Sequence, residues 1–164
     1  MRILFTAIVI LWLSLNSQGQ KKIDRQGFSM KYPTGWNIDT ADEDYDPDAL
    51  FSLDSPDGDN MIMFVLYDMA LDTAELMKNQ EKAFTAELLK NAEISHFNTW
   101  GKYKGSGKIL SGKLMGVYKG FVRIFIYTDG KKTLTVVEQC FDKAYEALKK
   151  DYELMASSFE FKKN

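Results

Sequence analysis

Residues 27–36 have the sequence GFSMKYPTGW, which combines a strand pattern with a turn. Its apolar residues Phe28, Met30 and Tyr32 alternate with polar ones, which is the period-two pattern of a half-buried β-strand. The Pro-Thr-Gly sequence that follows is typical of a turn, because proline lacks a backbone N–H and glycine tolerates turn dihedral angles. The sequence therefore predicts a strand over residues 27–32.

Further along the chain, two apolar runs flank a loop of turn-forming residues. The runs are residues 50–53 and 61–67, and the loop between them is rich in Asp, Ser, Pro, Gly and Asn. These loop residues favour turns for different physical reasons, but together they mark a reversal of the chain. We expect a β-hairpin here.

A helix is predicted after this hairpin. Asp72 precedes Glu75 by three residues, which is the spacing of a helix N-cap and its reciprocal partner. Apolar residues then recur at helical spacing as far as about Asn91: they are Leu76, Met77, Ala83, Phe84 and Leu88. Such a helix would cover one face of a sheet.

The second half of the chain returns to extended patterns and ends with another helix. The extended runs are residues 94–100, 108–115, 117–128 and 132–141. Asp129 and Gly130 predict a tight hairpin between the last two runs. We expect Asp142 to cap a helix with an apolar stripe made of Tyr145, Leu148, Tyr152, Met155 and Phe159. Phe159 and Phe161 flank Glu160, which suggests a short last strand.

This order of elements predicts an α+β fold. The expected architecture is an antiparallel β-sheet of about six to seven strands with helices packed on it, an α/β/α sandwich. The chain of 164 residues is 45% hydrophobic and 27% charged, which is average for soluble globular proteins and excludes disorder and coiled coil. We find no internal repeat and no linker, so residues 20–164 are expected to form a single domain.

The first 19 residues resemble a secretory signal peptide. Arg2 precedes an apolar run from Ile3 to Leu13 that is interrupted only by Thr6. This run is too short for a membrane span, which needs about 20 residues. Small residues before Gln20 predict cleavage there. We therefore expect an exported protein, periplasmic or secreted, without a transmembrane segment after cleavage.

The pattern G-F-S-x-x-Y-P-x-G-W in residues 27–36 resembles the PsbP-like family. The hairpin, the helix, the glycine-rich strands and a last helix ending in Ser157, Ser158 and Phe159 follow the same order as in that family. The family includes an extrinsic photosystem II subunit and many bacterial secreted proteins, and its fold is shared with a Ran-binding nuclear import factor. The resemblance implies a non-enzymatic module that binds or stabilises protein partners, sometimes with ion dependence. It implies no catalytic residue.

The sequence offers few ways to build a nucleophile with an imidazole base. The single Cys140 and single His96 exclude a disulfide framework within the chain and a Cys/His metal cluster. We expect Cys140 to be a buried apolar side chain and His96 to be structural or exposed. Residues 107–113 match the sequence of a phosphate-binding loop as far as Lys113. The match ends there, because the next residue is Leu114 rather than Ser or Thr and no helix follows. The nearby pair Ser106 and Lys108 is attributed to a flexible Gly105-Ser106-Gly107 turn. No cofactor is expected.

One metal site is kept as an alternative. Asp44, Asp46 and Asp48 have the alternating spacing of oxygen ligands at the start of a calcium loop. Ala49 stands where such a loop needs glycine, and Ser55 stands where it needs the closing glutamate, so an EF-hand is excluded. A solvated acidic loop is the first interpretation, and an irregular, weak Ca²⁺ site is the second.

Charge is distributed unevenly along the chain. Residues 32–77 contain 12 acids and no base, whereas residues 94–128 contain six bases and no acid. This asymmetry favours steering of a charged partner, or else the two segments neutralise each other. The net charge of −2 argues against nucleic acid. The candidate residues for a partner-binding surface are Lys102, Lys104, Lys108, Lys119 and Arg123.

Two classes of function remain, and an enzyme ranks a distant third. The first is a secreted or periplasmic binding or assembly module that contacts an unknown protein partner, with Phe121, Phe125 and Tyr127 either at the contact surface or beneath a helix. The second is a carrier of a small apolar ligand in a pocket between sheet and helix. The pocket residues would be Met61, Met63, Phe64, Tyr67 and Tyr118.

Overall fold

A computed structural model describes residues 19–162. The expected signal peptide therefore lies outside the described residues except for Gly19. In chain order, the elements are β1 (Gln20–Asp24), β2 (Phe28–Pro33), β3 (Asn37–Asp39), β4 (Leu50–Asp54), β5 (Met61–Tyr67), α1 (Thr73–Glu87), β6 (Glu93–Trp100), β7 (Tyr103–Leu114), β8 (Tyr118–Thr128), β9 (Thr133–Phe141), α2 (Asp142–Ser158) and β10 (Glu160–Phe161).

The strands form two antiparallel sheets. Seven strands make the large sheet in the order β3-β4-β5-β9-β8-β7-β6. Three strands make the small sheet in the order β1-β2-β10. The α+β class and the large antiparallel sheet are as predicted. The small sheet is not expected from the sequence, and it contains the strand that was predicted within residues 27–36.

Each face of the large sheet is covered by a different layer. Helix α1 packs on β7 and β8, and its Met77 joins a cluster of buried residues that includes Leu110, Val122 and Ile124. Helix α2 packs on β8, β9 and the small sheet. On that side a larger aromatic cluster is filled by side chains such as Phe64. This arrangement is the predicted sandwich, with the small sheet added to the α2 layer.

The hairpins and the end of the chain agree with the sequence. Strands β4 and β5 pair antiparallel, as do β8 and β9, whose last partners are Thr128 and Thr133 around the Asp129-Gly130 turn. The apolar stripe of α2 faces the aromatic cluster, where Tyr152 and Met155 are buried. Strand β10 is the predicted last strand.

The predicted N-cap of α1 is confirmed, and the predicted N-cap of α2 is wrong. The Asp72 carboxylate accepts hydrogen bonds from the backbone N–H groups of Ala74 and Glu75 at 2.9 and 3.2 Å. At α2 the cap position is held by Phe141, which makes no side-chain capping bond, and Asp142 is already inside the first turn. There its negative charge still interacts favourably with the helix dipole.

Strand β7 is longer than predicted. It begins at Tyr103, so the expected flexible turn at Gly105-Ser106-Gly107 is wrong and these residues are extended. The glycines permit close packing here. A Cβ on Gly105 would lie 2.3 Å from the carbonyl oxygen of Ile126, and one on Gly107 would lie 2.6 Å from the ring of Phe97.

No helix within residues 19–162 is both long enough and apolar enough to cross a membrane.

Candidate functional site

The turn between β7 and β8 exposes an unusual concentration of apolar surface. We call residues 115–118 the β7–β8 tip. Met115, Val117 and Tyr118 are 75%, 66% and 63% exposed, and they are three of the five large hydrophobic residues exposed in the described chain. Leu114, directly before them, is only 1% exposed. The side chains of Met115, Val117 and Tyr118 therefore contribute little to the core, whereas Leu114 belongs to it.

The backbone holds this tip in a fixed conformation. Met115 and Gly116 have φ angles of 50° and 75°. The left-handed conformation costs a residue with a side chain about 1–2 kcal/mol. The N–H of Met115 donates to the carbonyl of Leu88 at 2.9 Å, just beyond α1, and the N–H of Val117 donates to the carbonyl of Leu114 at 3.1 Å. The tip is thus anchored to the end of α1.

A groove of about 780 Å³ lies beside the tip. Tyr118 forms part of its wall and meets Phe141 edge to face, with 5.7 Å between ring centroids. Asn60 lines the groove and accepts a hydrogen bond from the Phe141 N–H at 2.9 Å, which ties the β4–β5 loop to the end of β9. The charged residues of the groove are Asp57, Asp59, Lys119, Asp142 and Lys143.

The rim of this groove carries negative charges, such as Asp57, and positive charges, such as Lys119. A hydrogen bond from the Ser55 hydroxyl lowers the pKa of Asp57, and the Asp59 N–H and the Asn60 side-chain amide lower it further. Asp57 is therefore ionised at neutral pH. An apolar, aromatic patch with a polar rim has the composition of a protein–protein interface.

A buried polar cluster lies under α2. Glu138 is 3% exposed, and its two carboxylate oxygens accept from the Trp100 indole N–H at 2.9 Å and from the Arg123 guanidinium at 2.6 Å. Burial raises the pKa of Glu138. The Arg123 guanidinium also lies over the Phe97 ring, 4.7 Å from its centroid. Both carboxylate oxygens of Glu138 have protein donors, so the cluster acts as a connection between β6, β8 and β9.

The predicted basic residues are dispersed over the molecule. Lys102 pairs with Glu160 on β10, whereas Lys108 pairs with Glu81 on α1. Arg123 is committed to Glu138, and Lys104 is exposed on β7. Lys119 is the one member of the predicted set that lines the groove beside the tip. The aromatic residues predicted with them are core residues: Phe121 packs on Tyr145 of α2, Phe125 is 1% exposed, and Tyr127 packs on Tyr103.

The acidic and basic segments do not pair with each other. Lys102, Lys108 and Arg123 bind glutamates outside residues 32–77. Among residues 19–162, the ion pair that reaches the acidic segment joins Asp68 to Lys132, at 3.6 Å. Lys132 lies outside the basic segment, so direct neutralisation between the two segments is not what the ion pairs show.

The acidic loop uses its carboxylates in local turns. Asp46 accepts from the N–H of Asp48 at 2.9 Å, and Asp42 accepts from the N–H of Asp44 at 2.9 Å. In the part of the chain that the structure describes, no three His, Cys, Asp or Glu side chains converge as they would around a metal ion. The geometry therefore adds nothing in favour of a Ca²⁺ site.

The predicted ligand-pocket residues do not surround one cavity. Phe64 is fully buried and stacks on Phe51 with 4.9 Å between ring centroids. Met63 packs on the opposite face of the sheet, in the cluster beneath α1, and Tyr118 is exposed at the tip.

The one cysteine and the one histidine of the sequence, a candidate nucleophile and a candidate base, are far apart. Cys140 on β9 is fully buried, as predicted, and burial raises its pKa to about 11. His96 is exposed on β6, also as predicted. Strands β8 and β7 lie between them, so a distance of about 14 Å separates the two strands at ~4.8 Å per strand.

Comparison with solved structures identifies the architecture. Cyanobacterial PsbP (CyanoP) from Synechocystis sp. PCC 6803 superposes with a TM-score of 0.51 and 13% identity, covering 88% of this chain and 94% of that one. This chain has the PsbP-like fold. The Ran-binding protein Mog1p of Saccharomyces cerevisiae matches with a TM-score of 0.53 and 11% identity over 86% of this chain and 87% of its own.

A third structure shares the PsbP-like fold. LpqN, involved in cell envelope biogenesis of Mycobacterium tuberculosis, matches with a TM-score of 0.52 and 10% identity, covering 93% of this chain and 95% of that one. No protein-family model and no curated protein matches the sequence. At identities this low the likeness concerns the PsbP-like fold alone. A fold of this kind positions the tip and groove but does not assign their function.

No pattern in the sequence points directly to the tip. Residues 114–118 form an apolar run around one glycine, and buried and exposed members of such a run look alike. The signal that could have found the tip is Gly116, because a glycine between two strand patterns marks the turn at which side chains leave the sheet.

Proposed function

We propose that this protein is a non-enzymatic binding module that contacts a protein partner through the β7–β8 tip and the adjoining groove. The observation that carries the proposal is the exposure of Met115, Val117 and Tyr118 within four consecutive residues. Exposed apolar patches rimmed by polar residues mark interaction sites on soluble proteins. Tyrosine and methionine are among the residues enriched at such interfaces.

One neighbour in fold supports a binding role. Mog1p is a Ran-binding protein, and LpqN is involved in cell envelope biogenesis. These descriptions belong to those proteins. They show that the PsbP-like fold accommodates at least one protein-binding member, which makes the same use of this chain reasonable.

The separation of Cys140 and His96 supports a non-enzymatic role. A cysteine nucleophile is activated by an adjacent base or by a lowered pKa, and here two strands separate Cys140 from His96. The raised pKa keeps the Cys140 thiol protonated at neutral pH.

We also propose that the binding module acts outside the cytoplasm, in the periplasm or as a secreted protein. This rests on the signal-like sequence of residues 1–19. The first described strand begins at Gln20, so cleavage there would leave all ten strands intact.

Site-specific photo-crosslinking in the native host tests the binding proposal. A photoreactive phenylalanine analogue placed at Tyr118 should yield a defined crosslinked protein product. The same analogue at Lys131, which is exposed in the β8–β9 turn, should not. Adding Met115→Ser and Val117→Ser should reduce the product at position 118 at least fivefold. Equal products at both positions, or a product unaffected by the two serines, would contradict the proposal.

A further inference from the structure

Strand β6 forms one edge of the large sheet and differs from the opposite edge. It runs for eight residues, Glu93–Trp100, whereas β3 at the other edge has only three. Its ladder partner is β7, and within residues 19–162 its outward backbone groups make no hydrogen bond to another segment. A strand edge of this length presents a row of N–H and C=O groups that an extended chain can satisfy.

The sequence of β6 offers little protection against pairing. It contains no proline and no lysine, which are two of the usual guards of an edge strand, and its guards are the charge of Glu93 at one end and the irregularity after Phe97 at the other. Ile94 is 43% exposed on it. The register shifts between Phe97 and Thr99, so regular pairing to β7 covers residues 93–97. An added strand could therefore pair with five consecutive residues of β6, 93–97, before it reaches the irregularity.

A groove of about 410 Å³ runs beside this edge. One wall is the start of α1 with Thr73, Ala74 and Met77, and the other wall is β6 with His96 and Asn98. The floor is β7, where the small residues Gly105, Ser106 and Gly107 are followed by Lys108. Because glycine and serine project little, the groove can take a side chain from a strand laid along β6.

We propose that β6 docks an extended polypeptide segment by strand addition. Backbone hydrogen bonds to residues 93–97 would hold the segment, and one of its apolar side chains would enter the groove beneath α1. This is a general mode of peptide recognition in which the edge supplies affinity and a neighbouring pocket supplies specificity. The surface is distinct from the β7–β8 tip, so the inference goes beyond the binding site proposed above.

The occupant is an extended segment rather than a helix or a lipid, because the edge is defined by backbone donors and acceptors. Strands pair at a spacing of about 4.8 Å, and only an extended chain matches the row of groups along β6 at that spacing. The segment is expected to alternate apolar and polar residues. Its apolar residues would face α1 and contact Ile94, which points to the same side as its ladder partner Leu110 in the α1 cluster.

The experiment begins with a random twelve-residue peptide library displayed on phage and selected against the purified protein. The three tightest peptides are synthesised, and hydrogen exchange is measured at single-amide resolution. Alternate amides within residues 93–97 should exchange at least tenfold more slowly when peptide saturates the protein. A copy of each peptide with a central proline should lose at least tenfold in affinity, because proline removes a ladder hydrogen bond.

Variants on the two edges provide the matched control. Ile94→Lys and, independently, His96→Lys should each weaken peptide binding by about fivefold, since an edge charge opposes pairing and the contact of Ile94 is lost. Asn37→Lys, exposed on β3 at the opposite edge, should leave binding unchanged. Met115→Ser at the tip should also leave it unchanged, so failure here is separable from failure of the tip proposal.

Three results would overturn the inference. The first is a selection that yields no binder. The second is a set of binders that leave exchange at residues 93–97 unchanged. The third is a protein dimer in the absence of peptide that Ile94→Lys dissociates, because the edge would then serve pairing between two copies of the chain.

Discussion

Met115 combines two features that a stable fold does not require. Its backbone is left-handed, with φ of 50°, and its side chain is 75% exposed. Asparagine tolerates the left-handed conformation better because its short side chain can bond locally. Residues that break a local rule without benefit to the core tend to mark functional positions.

We expect Met115→Asn to raise the stability of the protein while weakening its partner contact. Relief of the backbone conformation should add about 0.5–1 kcal/mol to the free energy of unfolding. Urea denaturation measures that gain, and the crosslink at position 118 measures the contact. Val117→Asn is the control at a position without left-handed strain, and it should weaken the contact without a gain in stability. A Met115→Asn variant that is less stable than wild type would show that the side chain supports the fold.

Glu138 makes stability depend on pH in a defined direction. Burial raises its pKa in the folded protein above the value of 4.5 that it has when exposed. The folded state therefore binds this proton more tightly than the unfolded state. The associated stability is present below pH 4.5 and is lost as pH rises through the folded pKa.

Replacing this carboxyl by an amide tests that direction. Glu138→Gln keeps this position neutral at every pH and should not lower the free energy of unfolding at neutral pH, because the raised pKa of Glu138 means that the cost of burying its charge exceeds the attraction to Arg123. It should also flatten the fall in melting temperature above pH 4.5. The exposed Glu153→Gln is the control and should leave the curve unchanged. An unaltered pH profile for Glu138→Gln would mean that another group sets the slope.

At the level of elements, the two helices begin in different ways. At α1 the Asp72 side chain accepts two backbone N–H groups, but at α2 the capping position is held by Phe141 without a side-chain bond. Sequence patterns cannot separate these cases, since aspartate is favourable both at the cap and in the first turn.

Alanine substitutions should distinguish the two aspartates. We expect Asp72→Ala to cost about 1 kcal/mol of unfolding free energy through loss of a cap. Asp142→Ala should cost only about 0.3–0.5 kcal/mol through weaker interaction with the helix dipole. Chemical denaturation of both variants gives the comparison. Equal losses would mean that Asp142 acts as a cap in solution.

The strands that the sequence analysis missed share a physical cause. Strand β1 carries the polar sequence QKKID with only Ile23 buried, so it has almost no apolar period to detect. The first part of β7 contains two glycines, which are normally turn residues, but here they allow close packing on Phe97 and on the β8 backbone. Long runs with alternating or continuous apolar character, such as β5, β8 and β9, were predicted closely.

For the whole molecule, the sequence predicted the fold better than the site. Binary patterning requires only the sequence of apolar and polar residues, whereas the site depends on which apolar residues a turn leaves outside. Adjacent residues Leu114 and Met115 are 1% and 75% exposed, and nothing in their chemistry separates them. The failure of the predicted basic surface has a similar cause. The sequence does not show that Lys108 and Arg123 lie on opposite faces of the large sheet, where each pairs with a glutamate.

Cleavage of the leader is a prediction about the whole chain. We expect mass spectrometry of the protein from its native host to show a first residue at Gln20 or within a few residues of it. That position coincides with the start of β1, and loss of more than a few residues would remove Ile23 from the core. Intact Met1 in protein from the cytoplasm would contradict export.

The small sheet joins both ends of the described chain through β2. Ile23 in β1 pairs with Met30, and Glu160 in β10 pairs with Ser29, so partners in one sheet are drawn from residues more than a hundred positions apart. A chain that emerges N-terminus first, from a ribosome or an export channel, can form its early hairpins at once but cannot complete this sheet. Phe159, which stacks on Phe28 with 5.6 Å between ring centroids, arrives almost last. The order of synthesis thus delays closure of the aromatic core until β10 is released, and until then the exposed rings of β2 are available to a chaperone.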